Sequence, residues 1–231
     1  MNTQQVCCIL TTRQDIQIHY VSLDRTPELW AELEKDGVTL REACGNTVRN
    51  VTASETAGID PEEPFDVSPY AHAVFQYFLR NPVCQELGRK FKISFSATEK
   101  DTALSFLHDL GFIPKMRQEK GVQIKGFKVM LAGGLGAQPR HADVAHEFLP
   151  ADEIIPFIEG VLRVFDREGE RAKRARARIK FLLDDLGLEN FLQLVKEEQT
   201  ALAHKSYPID TSAFEHPIKI PETKVKEGHY F

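Results

Sequence analysis

The sequence predicts an α+β fold in which a mixed sheet is followed by a group of helices. Residues 90–96 alternate polar and apolar side chains with the period of two that is typical of a strand, and two further strands flank a turn at Lys120-Gly121. Residues 151–203 instead have the pattern of three helices. Strands therefore dominate the middle of the chain and helices the part after it.

The residue pattern of the N-terminal part predicts two strands with a helix between them. Residues 6–21 alternate as a strand almost from the start of the chain. Residues 26–37 begin with Thr-Pro and end in Gly, which predicts a short helix. The inward-facing residues of that helix are Leu29, Trp30 and Leu33. Residues 39–42 have the spacing of a capping box and predict a further, shorter helical turn, and residues 48–54 predict the second strand.

A loop rich in Pro, Glu, Asp and Gly, residues 55–66, follows that strand. We expect the next helix over residues 68–80 and another over residues 101–110, which Gly111 ends. The second strand of the hairpin at Lys120-Gly121 ends in an apolar run and leads into a glycine-rich segment. The loop is the best candidate for a boundary between subdomains.

The bulk composition excludes several classes of protein. The 231 residues carry a net charge of −5, so anions can bind only through a local cluster of cations. No apolar run approaches the ~20 residues of a membrane span, and the N-terminus has no basic segment typical of a secretory signal. We therefore expect a cytoplasmic protein with no membrane partner. The loop divides it into residues 1–54 and 55–204, followed by a tail of residues 205–231.

Lys90 and Lys92 are the first candidates for an anion site. Residues at i and i+2 of a strand share one face and lie roughly 7 Å apart, so both ammonium groups reach the same space. The apolar residues of the strand point to the other face, and Arg89 makes the positive cluster denser. The same pattern also fits an ordinary solvated sheet face.

Two polar corners each present an arginine. Residues 43–50 flank Arg49 with amides, and residues 11–14 present Arg13 at the end of a strand. A guanidinium group is a good fork for carboxylates and oxyanions. Ordinary turn chemistry is the alternative for both corners.

Glycines 133, 134 and 136 follow a strand, so backbone N–H groups can approach a flat or anionic ligand closely. Their spacing is not that of a nucleotide-binding loop, and a tight turn is the alternative. Residues 171–180 are rich in Arg and Lys, but alanines rather than aromatic residues separate the charges. At helical spacing this run favours a solvated helix face over a nucleic-acid site.

The cysteines have none of the close spacings of an iron–sulfur motif. They are Cys7, Cys8, Cys44 and Cys84. Each fits the interpretation of a small, buried apolar residue. No metal ligand is therefore assigned in this chain.

Five segments, taken in order, resemble the sirohaem-dependent sulfite and nitrite reductase family. They are TTRQDIQIH (11–19), ACGNTVRNVT (43–52), FDVSPYA (65–71), RKFKISFS (89–96) and GGLG (133–136). The resemblance extends from about residue 8 to residue 195, and its second and fourth segments are the most specific.

The resemblance implies an enzyme of two similar halves, each with a ferredoxin-like half-domain and a larger sirohaem-binding α+β domain. Residues 1–54 would be part of the first half-domain, residues 55–204 the larger domain, and the tail the entry into the second half. Such enzymes reduce sulfite to sulfide or nitrite to ammonia, with electrons passing through a 4Fe–4S cluster to sirohaem. The implied partners are the missing second half, the substrate anion, and ferredoxin or another electron donor.

The resemblance also implies roles for individual residues. Arg49, Lys90 and Lys92 match the basic side chains that face the iron-bound anion, where they bind it and donate protons. The residues that match sirohaem contacts are Thr11, Arg13, Gln17, Arg89, Gly133, Gly134, Gly136 and Arg140. The spacing of the loop before Arg140 varies in the family, so its match is the weakest.

Two departures from the family pattern matter. The cysteine motif of the cluster is absent, so its ligands are expected in the missing half and the isolated chain is expected to be inactive. The family's segment before residue 11, with a further anion-facing arginine, is also absent. A stand-alone sirohaem- or anion-binding module and a ferredoxin-like nucleic-acid module are the alternatives. An apolar surface left bare could also make the chain dimerise.

Overall fold

A computed structural model describes residues 7–214 and confirms the α+β class. Within this range the strands are β1 (Cys7–Leu10), β2 (Ile16–His19), β3 (Val48–Ala53), β4 (Phe91–Phe95), β5 (Leu110–Glu119), β6 (Val122–Leu131) and β7 (Asp143–Pro150). The α-helices are α1 (Thr26–Lys35), α2 (Ser68–Phe78), α3 (Ile154–Glu168), α4 (Ile179–Leu186) and α5 (Leu188–Ala201).

The larger sheet has the strand order β3-β4-β5-β6-β7. β3, β4 and β5 are parallel neighbours, whereas β5, β6 and β7 are antiparallel. Ile93 of β4 pairs with Val51 of β3 on one side and with Leu110 of β5 on the other. This register brings residue 109 beside Lys92, just before the β4–β5 ladder begins.

The helices build the core on one face of this sheet. Phe91, Ile93 and Phe95 of β4 are completely buried and belong to the same cluster as apolar residues of α2, α3, α4 and α5. Burying a side chain of this size stabilises the fold by roughly 1.5–3 kcal/mol. The strand predicted over residues 90–96 is therefore confirmed, and its polar residues lie on the face turned away from this core.

The N-terminal strand predicted over residues 6–21 is wrong in extent, because the chain turns back on itself to form the β1–β2 hairpin. Thr11 causes this turn: its Oγ1 accepts from the backbone N–H groups of Arg13 (3.3 Å) and Asp15 (3.2 Å). Gln14 adopts a positive φ of 58° at the same turn. A threonine-centred turn of this kind competes with extended backbone.

The short helix after the hairpin is confirmed, but its packing is not as predicted. α1 begins with Pro27 at its first turn and ends before Gly37, which has φ +73°. None of its residues is buried, and Trp30 is 51% exposed. The helical turn expected at residues 39–42 is absent from the described structure. Its Glu42 instead accepts hydrogen bonds from the Arg80 backbone and from Gln85.

The helix predicted over residues 101–110 is wrong. Only the 3₁₀ turn Ser105–Leu107 forms there, and Gly111 lies inside β5 instead of ending a helix. Asp101 accepts from the backbone N–H of Ser105 at 2.8 Å, which stabilises the loop. A Cβ on Gly111 would lie 2.4 Å from the Ser105 Cβ, so only glycine allows the loop to pack this closely on β5.

The C-terminal part contains the three predicted helices, α3, α4 and α5. β7, which precedes them, is an element that the sequence pattern does not predict. Residues 171–178 are not helical as expected, apart from the 3₁₀ turn Arg174–Arg176, and α4 begins only at Ile179. No helix within residues 7–214 is both long and apolar enough to cross a bilayer. The predicted division of the chain at residues 54 and 204 stays a prediction, and residues 215–231 of the predicted tail lie outside the described residues.

Candidate functional site

Lys90 precedes β4 directly and Lys92 lies within it, and both are half-buried on the side away from the core. Within residues 7–214, neither ammonium group has a hydrogen-bond or ion-pair partner. Partial burial lowers the pKa of both lysines. Neighbouring cations lower it further, chiefly Arg89 for Lys90 and Arg13 for Lys92. The structure therefore brings the two lysines together with other positive groups, as predicted.

Arg13 reaches the same group of charges from the β1–β2 turn. Its Nη2 donates to the backbone oxygen of Asn50 at 2.6 Å and to the Asn50 side chain at 3.3 Å. Its Nη1 is buried and has no acceptor in the described part of the chain. Burial lowers the pKa of Arg13 to about 10, although Asp109 opposes the shift. A buried donor without a partner costs free energy, so Nη1 is a donor that could bind a ligand oxygen.

Arg49 and Arg89 complete this cluster. The Arg49 guanidinium donates to the backbone oxygens of Gly45 (3.1 Å) and Ala43, so the 43–50 segment fixes its orientation. Arg89 has no hydrogen bond or ion pair among residues 7–214. Burial and the nearby Arg174 lower the pKa of Arg89. We refer to Arg13, Arg49, Arg89, Lys90 and Lys92 as the cationic face.

A buried ion pair lies next to the cationic face. The side chain of Asp109 is 1% exposed, and its Oδ1 accepts from Arg178 Nη2 (2.7 Å) and Nε (3.0 Å). Its Oδ2 accepts from the backbone N–H of Lys92 at 2.9 Å. The sequence interpretation missed both residues. The available signal was a single carboxylate directly before the apolar stretch that begins β5, since a charge in such a position requires a partner.

The glycine-rich segment packs against this ion pair. A Cβ on Gly133 would lie 2.3 Å from the Phe106 carbonyl oxygen, so the backbone passes there only without a side chain. A Cβ on Gly134 would lie 3.2 Å from Arg178 Nη2. Gly136 has φ +112°, a conformation that favours glycine. The segment thus follows a strand as predicted and lies beside a guanidinium group.

Arg140 and Lys180 hold this segment in place. Arg140 donates through Nε to Asp184 (2.8 Å), through Nη2 to Asp143 (2.7 Å) and through Nη1 to backbone oxygens. Lys180 is buried, and its Nζ donates to two backbone oxygens of the loop 135–138. Four of the five N–H donors of the Arg140 guanidinium already have acceptors, so one N–H on Nη2 is left for the predicted cofactor contact.

Thr11 and Gln17, two other predicted cofactor contacts, have local partners. Thr11 shapes the turn that carries Arg13, so it acts on the cationic face through the backbone. Gln17 lies on the exposed strand β2, and its Oε1 contacts the ring of His19 at 3.3 Å. The predicted roles of both residues in binding a cofactor stay predictions.

The cysteines differ from the expectation that they are small buried residues, because only Cys84 is buried. Its Sγ donates to the backbone oxygens of Phe78 (3.2 Å) and Asn81 (3.3 Å), and burial raises the pKa of its thiol to about 11. The exposed cysteines are Cys7, Cys8 and Cys44. Across residues 7–214, no three Cys, His, Asp or Glu side chains are placed to hold a metal ion.

Two family models match the chain. The model described as nitrite and sulphite reductase 4Fe-4S domain matches residues 44–202, and the one described as nitrite/sulfite reductase ferredoxin-like half domain matches residues 8–36. The second match confirms the predicted ferredoxin-like part before the larger α+β domain. The first contains Arg49 and the segment with both lysines of the cationic face.

Curated relatives agree with these matches. The chain is 35% identical over 191 residues to the assimilatory ferredoxin-dependent nitrite reductase of Haloferax mediterranei. This alignment covers 82% of this chain and 33% of the relative. The chain is 32% identical over 189 residues to sulfite reductase (ferredoxin) 1 of Mycolicibacterium paratuberculosis, with the same coverage of 82% and 33%. The chain thus spans about a third of the length of these relatives.

The NirA protein of Mycobacterium tuberculosis is a similar solved structure. It superposes with a TM-score of 0.77 at 28% identity, and the match covers 93% of this chain and 37% of that one. The fold, the relatives and a family model that extends over more than half of the chain agree. The chain therefore belongs to the nitrite and sulphite reductase family, as the order of its sequence motifs predicts.

Proposed function

We propose that this chain contributes the cationic side of a sirohaem and anion site in a sulfite or nitrite reductase. The observation that carries the proposal is the cationic face itself: within residues 7–214 the charged groups of Arg89 and both lysines have no hydrogen-bond or ion-pair contact, and Arg13 Nη1 has no acceptor. Positive groups held close together disfavour one another's charge. An anionic ligand would offset that cost.

The residues of the chain fit sirohaem, whose several carboxylates require cationic partners. Arg13 Nη1 and the Arg89 guanidinium offer donors that no described group uses. Of the three glycines, Gly136 is exposed and a Cβ there would meet no atom within 4 Å, which favours the approach of a flat ring, whereas Gly133 and Gly134 are buried against protein atoms. When bound, sirohaem supplies the iron-centred redox chemistry for reduction of the anion.

Lys90, Lys92 and Arg49 bind the substrate anion and move its protons in this proposal. Positive groups in a half-buried site stabilise an oxyanion more strongly than they would in water. The lowered pKa of each lysine makes its ammonium group a stronger acid, so a proton leaves Nζ more readily as substrate oxygens depart as water. Arg49, oriented by two backbone oxygens, contributes a permanent charge.

The described cysteines do not fit a 4Fe–4S cluster, although the matched family description names one. Such a cluster takes four thiolates, whereas Cys84 is engaged with backbone oxygens and Cys7 and Cys8 are neighbours on one strand. We therefore derive no step through the cluster and propose that its ligands lie in a further part of the enzyme. That part, sulfite or nitrite, and ferredoxin or another donor are the proposed partners.

An absorbance titration of the purified chain with sirohaem tests the proposal, together with analysis for iron and acid-labile sulfide. We expect a Soret shift that is complete at one equivalent of sirohaem, with no labile sulfide. No shift at any ratio would contradict sirohaem binding by this chain alone. A shift together with labile sulfide would contradict the proposed location of the cluster ligands.

A binding module without redox turnover is the second candidate, and the unsuitable arrangement of the cysteines favours it. A nucleic-acid module has less support, because Arg171 pairs with Asp166 and Arg176 pairs with Asp185 within the basic run. Oligonucleotide binding through phosphates would decrease steeply with salt, which a titration at two ionic strengths would detect. The cytoplasmic location stays a prediction.

A further inference from the structure

We propose that Asp109 is the positioning residue of the cationic face: its carboxylate fixes the backbone at Lys92 and the guanidinium of Arg178, and thereby sets where these cations meet a bound anion. The inference rests on the proposed function. It assigns roles to Asp109 and Arg178. Neither residue is adjacent in sequence to a predicted site residue, and neither lies in the segments that carry the family resemblance.

The first argument comes from the sheet. The β4–β5 ladder begins at the pair Ile93–Leu110, so the backbone N–H of Lys92 lies just beyond its end. Asp109 Oδ2 accepts from that N–H at 2.9 Å and takes the place of a strand carbonyl. A backbone N–H without a partner at this depth would cost free energy. The side chain of Asp109 thus holds the strand at the residue that carries the ammonium group.

The second argument is the use of both carboxylate oxygens. Oδ1 receives Nη2 and Nε of Arg178 at 2.7 and 3.0 Å, a two-donor geometry that fixes the guanidinium plane. Arg178 Nη2 in turn lies 3.2 Å from the position that a Cβ on Gly134 would take. One carboxylate therefore connects β4, the start of β5, the residue before α4 and the glycine-rich segment.

The third argument is electrostatic. Burial raises the pKa of Asp109, whereas the charge and hydrogen bonds of Arg178 and the N–H of Lys92 oppose that rise. With its charge thus supported, Asp109 in turn raises the pKa of Arg13, Lys90 and Lys92 and acts as their shared counter-charge. An unpaired buried carboxylate would destabilise the folded chain, and the neighbouring cations stabilise Asp109 in its charged form.

The negative charge of Asp109 and its positioning of Lys92 and Arg178 predict opposite changes in anion binding when Asp109→Asn removes the charge. As a simple negative charge, Asp109 repels anions, so its loss would strengthen anion binding. As a positioning residue it sets the geometry of Lys92 and Arg178, so its loss would weaken anion binding although the site becomes more positive. The sign of the change therefore decides between the two roles.

The experiment uses the full 231-residue chain with lysines reductively ¹³C-methylated, and inorganic sulfite as the probe. The Lys92 methyl resonance, assigned with Lys92→Arg, reports both the pKa of the amine and sulfite binding. In Asp109→Asn we expect the Lys92 pKa to fall below that of the unsubstituted chain, because a counter-charge is lost. We expect sulfite to bind about tenfold more weakly at neutral pH, the order associated with losing a charge-assisted hydrogen bond.

Asp185→Asn is the matched control, because Asp185 pairs with Arg176 in the same region but both side chains are exposed. It should change neither readout. Unchanged or tighter sulfite binding by folded Asp109→Asn would overturn the inference. If circular dichroism shows that this variant does not fold, Arg178→Lys keeps the cation without the two-donor contact. Sulfite binding by Arg178→Lys equal to that of the unsubstituted chain would then overturn it.

Failure of the proposed function gives a different result. If the unsubstituted chain binds no sulfite, the proposed anion site is wrong for this chain by itself. Hydrogen exchange of the Lys92 backbone N–H then still tests the inference, since it needs no ligand and reports the contact with Asp109 Oδ2 directly. An exchange rate that is the same in the unsubstituted chain and in Asp109→Asn contradicts the inference in that case.

Discussion

Arg13 and Asn50 hold each other across 37 residues of sequence: Arg13 Nη2 donates to the Asn50 backbone oxygen at 2.6 Å, and Asn50 Nδ2 donates to the Arg13 backbone oxygen at 2.5 Å. This reciprocal pair attaches the exposed β1–β2 hairpin to β3. Gln14 adds a hydrogen bond to the Ala53 oxygen at 2.7 Å. The hairpin thus presents Arg13 to the cationic face through polar contacts.

Asn50→Ala should loosen this attachment. It removes the Nδ2 donor and the Oδ1 acceptor and leaves part of the buried Arg13 guanidinium less satisfied, so we expect a loss of about 1–3 kcal/mol in unfolding free energy. Urea unfolding followed by circular dichroism measures it. Asn190→Ala, which removes an exposed hydrogen bond on α5, is the control and should cost less. Equal losses in the two variants would contradict the role of the Arg13–Asn50 pair.

Gly133→Ala and Gly134→Ala should differ in their effect on stability. The new Cβ at 133 meets a backbone oxygen at 2.3 Å, and the backbone must shift, at a cost of about 1–3 kcal/mol. At 134 the nearest atoms are Arg178 Nη2 at 3.2 Å and Lys180 Cδ at 3.3 Å, so a shift of a few tenths of an ångström is enough and we expect a smaller loss. Thermal unfolding of both variants gives the comparison. A greater loss at 134 than at 133 would be inconsistent with this packing.

His108 should make stability depend on pH. Burial lowers the pKa of its imidazole to about 4, and the nearby Arg13 acts in the same direction. With its proton on Nδ1, the ring donates to the Leu104 oxygen at 2.8 Å. The folded chain therefore keeps this ring neutral where the unfolded chain binds a proton. Its contribution is complete above the ordinary histidine pKa of about 6.5 and is lost as the pH falls toward 4, by at most about 3 kcal/mol.

The measurement is the unfolding free energy of the chain and of His108→Gln between pH 4 and pH 7. The difference between them should change with pH over this window, because only the unsubstituted chain carries the buried ring. His204→Gln, on an exposed side chain, is the control and should have the same pH dependence as the unsubstituted chain. A parallel pair of curves for His108→Gln and the unsubstituted chain would contradict a neutral buried ring.

The fold could be predicted where side-chain periodicity and burial agree. β4 has Phe91, Ile93 and Phe95 on the buried face and lysine between them, so its period of two is evident. The predicted helix over residues 101–110 is wrong because side-chain contacts such as Asp101 to the Ser105 N–H organise a loop that has no periodic pattern. β7 depends on pairing with β6 through two irregular steps, which no local pattern encodes.

The candidate site could be predicted where neighbouring residues share a face, as Lys90 and Lys92 do. The sequence does not distinguish Arg178 from the other cations of residues 171–180. In the structure Arg171 and Arg176 pair with exposed carboxylates, whereas Arg178 pairs with the buried Asp109. The position of Asp109 before an apolar stretch indicates that it requires a partner, but only the register of β4 and β5 shows that it lies beside Lys92. A buried ion pair joins residues distant in sequence, and a single sequence has no signal for that contact.

The most direct test of the cationic face is the dissociation constant of sulfite for Lys90→Ala and Lys92→Ala, singly and combined, beside the exposed control Lys196→Ala on α5. Circular dichroism establishes that each variant is folded, as expected for half-buried side chains outside the core. We predict that each single substitution weakens binding about fivefold or more, the order of one charge-assisted contact, and that Lys196→Ala does not. Equal affinity of the folded double variant and the unsubstituted chain would contradict the proposed role of the cationic face.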